Sequence, residues 1–244
     1  MTVALLVLIV FVAFLVEAAL GFGATVVAVS LGALVVPIPE LLPAFVPLNI
    51  VLSTFLVVRY RQDVDWGLLF RKILPLMGIG LPFGLWIFGA GDHRLLSRSF
   101  GAFVVIVSSV ELWRIVRPAT GEPTPLKAGT KAGLLLSGGV IHGAFATGGP
   151  MAVYVAGREL HDKGAFRSTL SALWLLLNLA LIAGYLVTGV LGWESARLTA
   201  ILAVPLALGL LAGDLLHHRV DARSFRTMVY VLLAIAGVLL LAMA

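Results

Sequence analysis

Cysteine is absent from the 244 residues, which rules out disulfides, thiolate chemistry and Cys-based metal sites. Charge is scarce as well: Asp, Glu, Lys and Arg make up 12% of the chain, against about 25% in a water-soluble globule. No polar stretch is long enough to build a soluble domain. Gly-x-Ser-x-Gly, His-Glu-x-x-His and paired intramembrane aspartates are all missing, so the sequence gives no footing for an enzyme. What fills the space is apolar. Hydrophobic residues form 61% of the chain and mean hydropathy is +1.10. The expected fold is an all-α polytopic membrane protein, with eight to ten apolar segments joined by short loops. The net charge of +5 does not point to nucleic acid, because the basic residues are spread over the loops and never form a stripe.

One stretch is echoed later in the chain. Glu17-Ala-Ala-Leu-Gly-Phe-Gly-Ala-Thr25 returns 125 residues on as His142-Gly-Ala-Phe-Ala-Thr-Gly-Gly-Pro150. Each copy sets one ionisable residue beside a glycine break in apolar sequence. The pieces around the breaks (Ala24 to Val36, Ala132 to Gly143, Ala144 to Gly157) are shorter than the about 20 residues a bilayer core requires. They fit half-helices, re-entrant arms or broken spans. Val3 to Val16 begins without a positive n-region, so it reads as a retained segment rather than a signal peptide. Asn49 pairs with Asn178, Trp66 with Trp193, Pro75 with Pro205, and Arg98-Ser-Phe100 with Arg223-Ser-Phe225, all at nearly the same offset. The expected organisation is therefore a first repeat at 1–116, a cytoplasmic linker at 117–130 rich in Pro, Gly, Thr and Lys, and a second repeat at 131–244.

Charge sets the orientation. With five segments per half, fourteen Lys and Arg residues fall on one side and only Arg94, Arg98 and Arg197 on the other. The basic side is cytoplasmic by the positive-inside rule, which leaves both termini periplasmic. An odd number of segments per half turns the halves upside down to one another. Such an inverted-topology repeat points to a secondary transporter with its site between the repeats, near the midplane.

The run Gly148-Gly-Pro-Met-Ala-Val-Tyr154, Ala165-Phe-Arg-Ser-Thr169, Leu176-Leu-Asn178 and Gly184-Tyr185 before Gly189 resembles the second-repeat signature of the TauE/SafE family, bacterial sulfite and organosulfonate exporters. Gly21-Phe-Gly-Ala-Thr25 resembles its first-repeat glycine motif, without the Gly-Gly-Gly triplet. The resemblance extends over nearly the whole chain. It implies movement of a small sulfur-containing anion across the inner membrane.

The residues support an anion site independently. A helix interrupted at glycine leaves free N–H groups at the start of the next half-helix, where the helix dipole favours negative charge. Gly21, Phe22, Gly23, Ala24 and Thr25 supply one such start; Thr147, Gly148, Gly149 and Pro150 supply the other. The Thr25 and Thr147 hydroxyls are added donors, and Pro150 suits a first helical turn. The plainer alternative is that these glycines only allow close helix packing. Asn49 and Asn178 either line the anion site or bond between helices. Glu17 and His142 are ionisable at membrane depth and are the expected proton-coupling pair, with neutral packing roles as the alternative. Arg167 is placed at the cytoplasmic entrance, where its topogenic role alone also accounts for it.

Glu111 and Arg114 read as an interfacial ion pair, and Trp66 and Trp193 as interfacial anchors. Asp214, His217 and His218 offer too few ligands for a metal. No metal and no cofactor are expected, and the expected partners are the bilayer, a small anion and, as an open assembly, a homodimer. With the cytoplasm negative, moving one negative charge outward gains about 2.3 kcal/mol per 100 mV, so export is the favoured direction. An anion channel, or a permease for another small anion such as a carboxylate, is the rival reading.

Overall fold

A computed structural model describes residues 2–20, 23–90, 92–117, 126–160, 162–217 and 222–243. Gly21 and Phe22 of the first break, His218 and the centre of the linker lie outside the described residues. Among the described residues every regular element is helical. The first half holds α1 (Thr2–Leu20), α2 (Ala24–Gly32), α3 (Ile38–Tyr60), α4 (Trp66–Ala90) and α5 (His93–Val116). The second holds α6 (Ala128–Phe145), α7 (Gly149–Glu159), α8 (Lys163–Val187), α9 (Trp193–His217) and α10 (Ala222–Met243). Six of these, α3, α4, α5, α8, α9 and α10, are long and apolar enough to cross a membrane.

Local chemistry explains several boundaries. Asp65 caps α4 by accepting from the Leu68 amide at 2.8 Å, and Asp162 caps α8 by accepting from the Ala165 amide at 2.7 Å. The Asp65 amide in turn donates to Thr169 Oγ1 at 2.9 Å, tying the start of α4 to α8. In α4 the turn Leu69–Ile73 widens to a π-turn just before Pro75. Proline lacks the N–H and crowds the carbonyl four residues back, and a wide turn accommodates both faults.

The chain divides into two compact units that each draw on both halves. One comprises Met1–Ala44, Gly91–Gly121 and Trp193–Ala244. In it α1 lies along α9, and α5 along α10. Leu6, Val10, Ala13 and Phe14 recur at helical spacing and are buried. The α1 backbone comes so near α9 that a Cβ on Gly209 would sit 2.5 Å from the Phe11 carbonyl oxygen. Gly101 and Gly237 face one another across the α5–α10 seam, each leaving space for the other's carbonyl. Thr199 on α9 donates to the Ala44 carbonyl at 2.8 Å, and Arg223 on α10 to the Ile115 carbonyl at 3.0 Å.

The other unit comprises Phe45–Ala90 and Glu122–Gly192, and its main seam joins α4 to α6. Gly80 and Gly84 on α4 meet Gly139 and Gly143 on α6, a small-xxx-small pair on each helix. A Cβ on Gly84 would fall 2.0 Å from the Val140 carbonyl oxygen, and one on Gly139 2.1 Å from that of Met77. No side chain fits in this seam. The short helix α7 doubles back along α6: Gly148 lies against the Gly138 carbonyl, and Glu159 at the far end of α7 pairs with Lys131 in the first turn of α6. Glu159 also pairs with Lys72 of α4 at 3.1 Å, so one carboxylate joins three helices. The Lys131 ammonium, and then that of Lys72, hold the Glu159 carboxyl below the usual carboxylate range.

Candidate functional site

The first break is built within one unit. Gly23 has φ 108, a left-handed conformation that glycine adopts without strain, and it turns the chain into α2 at Ala24. The first amides of that helix have no intrahelical acceptor. Glu17, about two turns back on α1, fills part of the gap: its carboxylate accepts from the Ala24 amide at 2.8 Å. Ala24 is fully buried, and Thr25 follows it in the first turn.

The second break uses different residues for the same geometry. Helix α6 runs to Phe145 and ends on Ala146, a left-handed residue with φ 53 whose amide donates to the His142 carbonyl at 2.7 Å. Helix α7 then starts at Gly149 with Pro150 in its first turn. His142 Nδ1 accepts from the Gly148 amide at 3.3 Å. That bond fixes the neutral ring as the Nε2–H tautomer. The imidazole is 1% exposed and stacks on Trp174, with centroids 5.7 Å apart. Asn178, one turn beyond Trp174 on α8, brings its amide up to the imidazole. Yet His142 Nε2 and Asn178 Oδ1 both lack a completed hydrogen bond among the described residues. Thr147 is buried beside them in sequence, between the two helices.

In both breaks the ionisable residue caps the short helix that follows it, at a separation of seven residues in the first and six in the second. The second break lies at Ala146 to Gly148: the helix start falls within Thr147 to Pro150, where the sequence also put it, but α6 runs on to Phe145, past the expected segment boundary between Gly143 and Ala144. Gly143 is a packing glycine: its Cβ position is 2.2 Å from the Leu81 carbonyl oxygen. Asn49 on α3 is buried at 5% exposure. Arg167 is exposed near the start of α8, with its guanidinium 5.8 Å over the Tyr60 ring. Glu111 and Arg114 do form an ion pair. The side chains of Asp214 and His217 lie outside the described set.

Four residues carry no site role in the sequence reading. Trp174 forms the floor under His142, and its i,i+4 spacing to Asn178 was the available signal. Arg158 and Tyr154 have the same spacing on α7, where the guanidinium lies over the phenol ring at 3.7 Å. Tyr185 is fully buried against Phe88, with its hydroxyl unpartnered among the described residues.

Comparison with known proteins decides the lineage. The family described as "Sulfite exporter TauE/SafE" matches residues 6–240. The chain belongs to the TauE/SafE family. It is similar to the "Probable inner membrane transporter protein TsaS" of Comamonas testosteroni, 27% identical over 184 residues, 74% of this chain and 73% of that protein. No solved structure matches it. The chain is therefore a multi-pass membrane protein of a transporter family, and not an enzyme. The TauE/SafE signature residues of the second half fall on α7 and α8, from the break at Gly148 to the buried Tyr185 and to Gly189, which ends α8 in a left-handed turn with φ 70.

Proposed function

We propose that the protein is a secondary transporter that exports small sulfur-containing anions, such as sulfite or organosulfonates, across the bacterial inner membrane. The observation that carries this reading is the pair of breaks, each of which ends one helix and starts a short one whose leading amide is held by an ionisable side chain, Glu17 or His142, in apolar surroundings. Neutral donors at a helix start hold an oxyanion reversibly, which transport requires. Each half-helix start is an anion-binding position in its own unit: Gly23 to Thr25 in one, and Thr147 to Pro150 with Asn178 in the other. The family's description supports the sulfur assignment, and the relative's name supports the inner membrane.

The two halves are inverted repeats. Supporting this, the first helix of each half lies along the fourth helix of the other: α1 along α9 and α6 along α4. The fifth helices, α5 and α10, lie along each other. The fold-back of α7 onto α6 supports a re-entrant pair, which keeps Lys131 and Glu159 on one side. That side is cytoplasmic and both termini are periplasmic, from the distribution of Lys and Arg. Outward movement of an anion follows the membrane potential. Glu17 and His142 couple proton movement to it, because each holds an amide that the anion would use.

The test is flux into and out of liposomes holding the purified protein, with sulfite, thiosulfate, sulfonates, sulfate and small carboxylates. Saturable flux with counterflow of the sulfur anions is expected. Movement of carboxylates alone would overturn the sulfur assignment, and unsaturable flux without counterflow would make the protein a channel.

A further inference from the structure

Arg158 stands near the end of α7, on the same short helix whose start forms the second break. Two contacts fix its guanidinium. The group lies over the Tyr154 ring at 3.7 Å from the centroid, and Nη1 donates to the Tyr154 carbonyl oxygen at 3.1 Å. Its Nε–H is shut off from solvent and has no acceptor among the described residues. An N–H held from water without a partner is unfavourable, and in a native structure it asks for a ligand.

Among the described residues no carboxylate pairs with Arg158. Glu159 is next in sequence, but adjacent residues on a helix do not face each other, and its carboxylate is taken by Lys72 and Lys131. Arg114, by contrast, is neutralised by Glu111. The two lysines thus engage the adjacent acid, and among the described residues no ion pair neutralises the oriented Arg158 guanidinium.

We propose that Arg158 offers an open fork, Nε–H with Nη2–H, to an oxyanion, and that on the transport reading above this is the transported anion. With Nη1 engaged by the Tyr154 carbonyl and one face covered by the ring, the Nε/Nη2 edge is what remains. The two parallel N–H groups of that edge match two oxygens on one centre, as in a sulfonate, sulfite, carboxylate or phosphate group. Lysine carries the same charge without the fork. Nε is covered in this conformation, so the fork is loaded when the packing around the end of α7 opens.

The experiment uses the full chain in phosphatidylcholine nanodiscs as wild type, Arg158→Lys and Arg158→Ala. Sulfite, methanesulfonate and acetate are titrated by calorimetry and by thermal shift. A parallel arm replaces the soluble anions with phosphatidylglycerol in the disc. Both substitutions are expected to weaken binding by about tenfold or more, the loss of a charged bidentate contact, while the ligand-free melting temperature of Arg158→Lys stays at the wild-type value. If Arg158→Ala does not fold, Arg158→Lys decides. Dependence on Arg158 in the soluble arm identifies the transported anion as the ligand; dependence only in the phosphatidylglycerol arm identifies a lipid phosphate on the same fork.

Folded variants that bind like wild type in both arms overturn the proposal, and with wild-type flux intact they leave the transport reading standing. Arg158-dependent binding without any flux keeps the fork and removes the transporter. A wild type that binds no anion in either arm overturns both.

Discussion

The Glu17 carboxylate accepts a hydrogen bond from the amide of Ala24, the first residue of α2, at 2.8 Å. His142 does the same for Gly148 through its imidazole. An anion arriving at either helix start meets a side chain already in place. The two occupants differ, since one is a carboxylate and the other a ring whose acceptor nitrogen must give up the amide before it can take a proton.

Glu17→Gln keeps an acceptor oxygen for Ala24 but removes the competing acid. It is expected to tighten anion binding several-fold at neutral pH and to flatten the pH dependence of flux, which in the wild type should favour binding as the pH falls. His142→Ala removes the acceptor for Gly148 and the stack on Trp174. It should lower flux and destabilise the chain by about 2–4 kcal/mol, from a buried cavity and an orphaned amide. Flux against pH in proteoliposomes checks both. Unchanged profiles in the two variants would end the idea of coupling through these residues.

The α4–α6 seam has no space for a methyl group. Gly84→Ala would drive a Cβ to 2.0 Å from the Val140 carbonyl oxygen, so it should cost about 3 kcal/mol or more, at the severe end of overpacking. Gly78→Ala on the same helix meets nothing within 4 Å and should be neutral or slightly stabilising, since alanine is the better helix former. Thermal unfolding in detergent compares the pair, and equal melting temperatures would contradict the seam.

Ala146 holds a left-handed conformation at φ 53, which costs a residue with a Cβ about 1–2 kcal/mol. Ala146→Gly should raise stability by about 1 kcal/mol, offset in part by the freer unfolded chain. A fall in melting temperature would mean that the buried methyl group outweighs the backbone strain.

Glu159 holds α4, α6 and α7 together through Lys131 and the more exposed Lys72. Its carboxyl is held below the usual range, so its contribution is complete above the ordinary glutamate value of about 4.3 and is lost as the pH falls through the depressed one. Glu159→Gln should cost about 1 kcal/mol or less, because the pair is partly in solvent. The difference in melting temperature between variant and wild type should shrink at acid pH. A difference that stays constant from neutral pH down would assign the loss to something other than charge.

The sequence made the long helices legible because apolar length alone marks them, and α3, α8 and α10 each lie where an uninterrupted apolar run predicts a span. The start of α2 at Ala24 was legible too, since Gly23 has no close neighbour and breaks the helix by its own backbone freedom. The second break was legible only in part: the helix start at Thr147 to Pro150 was, and the end of the helix before it was not. Gly143 and Ala146 exchange roles there, and whether a glycine packs or turns depends on what lies across from it, which in this case is α4. The Glu111–Arg114 pair could be read from spacing along one helix. The Lys72–Glu159–Lys131 group could not, because its members come from three different helices, with Lys72 87 residues from Glu159.

The lengthwise pairing of α1 with α9 bears on biosynthesis. Helix α1 has its long-term neighbour nearly 200 residues further along the chain, so it waits in the translocon or among lipids until α9 has been made. Helix α4, by contrast, waits only for α5, the linker and α6. The order of the seams thus follows the chain: the α4–α6 seam can close first, the α1–α9 seam later, and the α5–α10 seam only once α10 has followed α9.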